Sequence, residues 1–104
     1  MVYRVNRHPL VRADLAGITT LIGEYAGYAL ALIKIEAIEE ALNGLSDFPK
    51  IGSTRDDILR GLRAIPAAEK AVLCFTVDDD SRTVFILCVS YAGSDWASKV
   101  KERS

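Results

Sequence analysis

The chain has 104 residues, enough for one domain with a modest core of its own. With 50% hydrophobic and 26% charged residues it is neither disordered nor collagen-like, and its two cysteines are too few for a disulfide scaffold. A net charge of −1, from 13 basic and 14 acidic residues, supplies no overall basic field for nucleic acid.

Residues 1–6 read as a short strand, with Val2, Tyr3 and Val5 supplying β propensity. Pro9 suits the first turn of a helix, where its missing N–H costs nothing. Over residues 10–26 the apolar positions Val11, Leu15, Ile18, Ile22 and Tyr25 recur at spacings of 4, 3, 4 and 3. They span roughly 80° of a helical wheel, so this helix has one apolar face. His8 is the single histidine, and any Ser–His or Cys–His catalytic pair would have to run through it. Its place at a helix start argues against that role, and the cysteines lack zinc-ligand spacing. Residues 15–33 carry one charge, Glu24, but Thr19, Thr20 and the glycines and tyrosines make the stretch too polar for a membrane span.

Gly27 breaks the pattern, and a second helix is predicted over 28–45. Its polar side is Glu36, Glu39, Glu40 and Asn43. Its apolar side is wide, from Leu30, Ala31 and Ile35 through Ile38 and Leu42 to Leu45. So wide a stripe predicts two neighbours, the first helix and a sheet. Gly44 weakens the helix end and Pro49 forbids continuation. The short connection makes the pair an antiparallel hairpin. Lys34 lies inside the apolar arc. It reads as a lysine whose stem covers apolar surface, or else as a charge at a partner-binding edge.

Residues 47–57 form a polar connection, and strands are predicted over 59–65, 71–78 and 83–91. Ala71, Leu73, Phe75 and Val77 alternate with Val72, Cys74 and Thr76; Thr83, Phe85, Leu87 and Val89 alternate with Val84, Ile86 and Cys88. The turn at Asp79, Asp80 and Ser81 joins these two strands as a hairpin. The run Asp78, Asp79, Asp80 reads as a solvated tip, since consecutive turn side chains point apart. Cys74 and Cys88 read as buried thiols acting as small hydrophobes, or as a redox pair if the register lets them face the same way. Unpaired thiols fit a reducing cytosol, so the expected location is cytoplasmic. Residues 98–104, with Lys99, Lys101 and Arg103, read as a mobile basic tail, leaving 1–97 as the domain. No metal or cofactor is expected.

Strand, helix, helix and a three-strand meander predict an α+β fold, with a helical hairpin packed on a curved, mostly antiparallel sheet. Both faces of the last two strands are apolar. One should meet the helices, and the other is either covered or an interaction surface.

Particular residues say more. Ala13-Asp14-Leu15 followed by Ile18 lies on the first helix. Leu45-x-x-Phe48-Pro49-x-x-Gly52-x-x-Arg55 leads into Gly61-Leu62-Arg63, and Phe75-x-Val77-Asp78 lies on a strand. Val89-x-Tyr91-Ala92-Gly93-x-Asp95-Trp96 closes the series. In this order and spacing, over about residues 3–97, the sequence resembles the ParE/RelE superfamily of toxins from bacterial toxin–antitoxin operons.

The resemblance implies a cognate antitoxin whose C-terminal segment wraps the toxin and whose N-terminal part binds operator DNA. The toxin alone would then make no sequence-specific DNA contact, and would form a hetero-oligomer with its antitoxin. Such a segment would fold onto the wide stripe of the second helix and the second apolar sheet face.

RelE-like members cut mRNA on the ribosome and use arginine, lysine and tyrosine to move protons and stabilise the phosphorane. Here the early strand position of their arginine is Val72, and Tyr91, Ala92, Gly93 and Ser94 stand where basic residues should follow. The C-terminal aromatic is Trp96, without a hydroxyl. Tyr91, Lys70 and Arg82 are the available substitutes. The linker and the ending resemble the ParE branch, whose members are not enzymes but bind DNA gyrase and trap its cleaved-DNA intermediate. The expected function is therefore a gyrase-poisoning toxin neutralised by a ParD-like antitoxin. The alternatives are a ribosome-dependent ribonuclease and a decayed toxin that only binds its antitoxin. Expected antitoxin- or target-binding residues are Arg55, Arg63, Tyr91 and Trp96. Each also has a structural reading: the arginines tie the linker to the sheet or to a carboxylate such as Asp56, and the aromatics cap the sheet's end.

Overall fold

The computed structural model describes residues 2–104, so Met1 of the predicted opening strand lies outside the described residues. That strand is β1, Arg4–Arg7. Tyr3 instead gives its backbone N–H to Ser46 O at 2.8 Å, tying the chain start to the end of the helical hairpin.

Helix α1, Val11–Ala26, buries Val11, Ile18 and Ile22, as the 4-3-4-3 spacing requires. Tyr25, the last member of that stripe, is 92% exposed. At this turn the stripe runs out over an open cleft that Tyr25 shares with Tyr91, so its ring meets solvent. Gly27 then turns the chain at a φ of 97°, which strains any side chain, and α2, Tyr28–Gly44, begins at once. Ala31, Ile38, Leu42 and the following Leu45 are fully buried.

The sheet has five strands in the order β1-β5-β4-β3-β2: β2 is Ser53–Thr54, β3 is Arg63–Ala67, β4 is Ala71–Asp78 and β5 is Thr83–Tyr91. Only β1 and β5 pair in parallel. The strand predicted over 59–65 begins at Arg63, because the preceding residues close a turn. Arg55 N–H donates to Leu62 O at 2.8 Å, and Asp56 Oδ1 accepts from Gly61 N–H at 2.7 Å. The linker carries the extra strand β2. There Gly52 sits at a φ of 82°, and an added Cβ would run into the Ile65 side chain and lie 2.7 Å from Ala64 O.

One face of the sheet carries Ala71, Leu73, Phe75, Val84, Ile86 and Val89 against the helical hairpin. The other carries Cys74, Leu87 and Cys88, with Leu62 and Val100 packed on them. This corrects the strict alternation expected in β5. A bulge lies where Phe75 opposes Ile86 but Cys74 opposes Cys88, so Leu87 is the extra residue. Leu87 and Cys88 then share a face, and Val89 rejoins Val84 and Ile86.

The predicted mobile tail is helix α3, Trp96–Arg103. Asp95 caps it, accepting from Ser98 N–H at 3.2 Å, and Val100 is fully buried. The second apolar face of the sheet is thus covered by this chain's own C-terminus, and is not the free docking face the resemblance implied.

Candidate partner-binding surface

The helical hairpin ends in an apolar tip. Gly23 has no side chain because the Tyr28 ring fills the space a Cβ would take. On the adjoining turns of α1 and α2, Leu21, Tyr25, Tyr28, Leu30, Leu32 and Ile33 are all exposed. Leu32 and Ile33, at 61% and 63%, lie off the core stripe of α2. Their signal in the sequence was that α2 is apolar nearly all round in its first turns, more than one neighbouring helix and one sheet can bury. Leu21, Tyr25 and Leu30 line one open cleft, and exposed apolar side chains so gathered form a surface that a partner usually covers.

Beneath the tip opens a cleft of about 420 Å³. Leu21 and Tyr25 line it from α1, Leu30 and Lys34 from α2, Glu69 and Lys70 from the β3–β4 turn, and Tyr91 from the end of β5. Lys34 does not simply snorkel: its Nζ meets Glu69 Oε1 at 2.8 Å. That bond holds the ammonium above the ordinary lysine range and the carboxyl below the ordinary glutamate range. The turn that presents Glu69 holds Ala68 and Glu69 at φ values of 48° and 68°, and Ala92 beside it stands at 55°. Three non-glycine residues in the left-handed region line one cleft wall or flank it, which is where backbone strain gathers at binding sites. Ala92 N–H donates to Lys70 O at 3.0 Å and locks the two loops together.

The four expected site residues do not converge. Tyr91 is half-buried in the cleft. Arg55 and Trp96 meet on the opposite side of the sheet, with the guanidinium 5.2 Å from the ring centroid, a cation–π contact. Both nitrogens of Arg55 that bond a carboxylate choose Asp57, at 3.1 Å each, while Asp56 closes the neighbouring turn. Arg63 points its Nη1 at Lys50 O, 3.0 Å away, and braces the linker.

The residues alone gave no hint of the most buried ion pair among the described residues. Asp14 accepts two hydrogen bonds from Arg103, at 2.7 and 2.8 Å, and one from Val89 N–H at 3.0 Å. Arg103 also donates to Leu87 O at 3.0 Å. These bonds satisfy the edge of β5 beyond the reach of β1, which pairs only with Thr83–Ile86. A basic last turn behind a capping Asp was the available clue to α3.

Residues 5–96 match the family model for the "ParE toxin of type II toxin-antitoxin system, parDE". The chain belongs to the ParE toxin family. Among solved structures it is similar to a chain of the chromosomal ParDE toxin–antitoxin system from Pseudomonas aeruginosa, with a TM-score of 0.74 and 20% identity, covering 88% of this chain and 97% of that one. It is similar to a chain of a RelBE toxin–antitoxin complex from Mycobacterium tuberculosis, with a TM-score of 0.60 and 25% identity over 88% of this chain and all of that one (100%). It also resembles the free state of a mutant Escherichia coli toxin RelE, with a TM-score of 0.64 and 15% identity over 99% and 98% of the two chains. No curated protein sequence matches the chain. The α+β order read from the sequence is that of these ParE- and RelE-like neighbours.

In this ParE-family chain the substitutes for a nuclease set are divided. Lys70 and Tyr91 share the cleft, but Arg82 lies in the turn before Thr83, at the other end of β5. A strand of this length separates them by roughly 27 Å, at about 3.3 Å per residue. One scissile phosphate cannot touch both ends. Among the described residues no cluster of His, Cys, Asp or Glu could hold a metal ion, and no helix is long and apolar enough to cross a membrane.

Proposed function

We propose that this toxin of a type II toxin–antitoxin pair poisons DNA gyrase and is neutralised by a ParD-like antitoxin. The observation that carries the partner is the uncovered apolar tip of the hairpin above its cleft. An antitoxin segment that folds there buries Tyr25, Leu21 and Leu30, and that burial offsets its own ordering entropy. Tyr91 is then an antitoxin contact at the cleft floor. Arg55 and Trp96, stacked on the other face, and Arg63 beside the linker are then the candidates for contact with the target. The choice of gyrase rests on membership of the ParE family and on the divided basic groups just described. A cytoplasmic location accords with such a target.

One observation favours a ribonuclease instead: Lys70 and Tyr91 line the same cleft. A gyrase cleavage assay with purified protein, run beside mRNA cleavage on ribosomes, separates the readings. Linear DNA that accumulates with the toxin and disappears on adding the antitoxin supports the gyrase reading. Cut mRNA with gyrase untouched overturns it and makes Lys70 and Tyr91 the groups to substitute. Silence in both assays, with the antitoxin still bound, identifies a decayed toxin.

A further inference from the structure

Cys74 and Cys88 are the only cysteines of the chain, and both are fully buried. Burial alone does not require them to meet, yet the bulge at Leu87 brings them directly opposite on β4 and β5. Without that extra residue Cys74 would oppose Leu87, and Cys88 would turn to the helical-hairpin face. Opposed residues of an antiparallel pair have Cα atoms roughly 4.5–5.5 Å apart. A disulfide accepts Cα separations of about 4.4–6.8 Å, so the two sulfurs can join without a change of register. The neighbouring Cys88 sulfur and then burial push the Cys74 thiol up, while the Cys74 thiol beside it holds Cys88 below the ordinary thiol range against the opposing effect of burial. Above them lie Val100 and Trp96 of α3, the last element of the chain.

We propose that Cys74 and Cys88 form a peroxide-responsive dithiol that closes to a disulfide across β4 and β5 beneath α3. Local opening of a terminal helix admits a small oxidant such as hydrogen peroxide. The Cys88 thiolate attacks one peroxide oxygen and the O–O bond breaks. The departing hydroxide takes up the proton that Cys88 had released and leaves as water, and Cys88 becomes a sulfenic acid. Cys74 sulfur then attacks Cys88 Sγ, the S–O bond breaks, and the second hydroxide leaves as water with the Cys74 proton. Two thiols and one peroxide give one disulfide and two waters: the sulfurs lose two electrons and the peroxide oxygens gain them. A thiol reductant restores the starting state.

The test uses the full reduced chain. Folded protein is treated with hydrogen peroxide, quenched, unfolded and alkylated, and its mass is measured. The expected product is about 2 Da lighter than the reduced chain, takes up no alkylating reagent, yields one linked peptide pair from β4 and β5, and reverts with dithiothreitol. Its Tm exceeds that of the reduced form by roughly 5 °C or more, because the cross-link constrains the unfolded chain. The Cys74→Ser variant should instead stop at oxidised Cys88 with no 2 Da loss, whatever its stability. Two cysteines that both still alkylate, a mass gain of oxygen on the wild type, or a bond between two chains overturns the proposal. So does a disulfide that forms no faster in the folded protein than in urea, since the register would then contribute nothing.

Discussion

Arg103, in the last turn of α3, closes a two-pronged ion pair with Asp14 of α1, 89 residues earlier in the chain. Both side chains are nearly buried, at 9% and 5% exposure. A pair of this kind contributes little beyond an apolar replacement, but removing one partner strands the other. Arg103→Ala should therefore cost about 3 kcal/mol, a Tm loss of roughly 12 °C or more in thermal unfolding. Combining Asp14→Asn with Arg103→Met instead removes both charges of the pair and keeps an acceptor for Val89 N–H. That double variant should recover about half of the loss. An Arg103→Ala protein as stable as the wild type would show that α3 is not held by this contact.

Gly23 and Tyr28 form a second testable pair. Gly23→Ala normally favours a helix by about 0.5–1 kcal/mol. Here the new methyl meets the Tyr28 ring, so the variant should be destabilised. In a Tyr28→Ala background the same substitution should become neutral or stabilising. Equal effects in both backgrounds would refute the contact.

The apolar tip predicts a separation of binding from folding. Tyr25→Asp changes a residue that is 92% exposed, so the Tm should stay within about 2 °C of the wild type. Antitoxin affinity, measured by calorimetry, should fall more than tenfold, as for an aromatic anchor. Arg63→Ala should do the reverse, lowering Tm by loosening the linker at Lys50 and leaving affinity nearly intact. Unchanged antitoxin binding in Tyr25→Asp would place the partner elsewhere.

Acid should unfold this protein through its carboxylates. Arg7 bonds hold Glu39 below its ordinary value of 4.5, and Lys34 does the same for Glu69. Arg55 lowers Asp57, Lys50 and Tyr3 lower Asp79, and Ser98 lowers Asp95, each from an ordinary 3.8. A carboxyl with a depressed folded pKa stabilises the protein above its unfolded value, and that contribution is lost as pH falls through the folded value. Tm should be flat between about pH 7 and pH 5 and drop steadily below about pH 4. A Tm at pH 3 equal to that at pH 7 would contradict these pairings.

Much of this architecture was legible in the residues. The helical hairpin follows from two stretches of 3.6-residue periodicity parted at Gly27, and the β4–β5 hairpin from two apolar runs around an acidic turn. What escaped was contextual. The β3 start was displaced by bonds from Arg55 and Asp56 that no alternation records. Tyr25 kept its place on the α1 stripe, yet it faces an open cleft and not the packed core.

The sequence by itself determined the order and kind of the main elements and the ParE-like pattern of Phe48-Pro49, Arg63 and Trp96, because periodicity and turn chemistry are properties of neighbouring residues. Only the tertiary structure decided that the C-terminus is a docked helix, that a bulge sets Cys88 against Cys74, and that the hairpin tip stays uncovered. The physical reason is that docking, register and exposure belong to pairs of residues far apart in the chain. Their free energies come from what the rest of the fold places beside them, as Arg103 finds Asp14 only once α3 lies across the sheet.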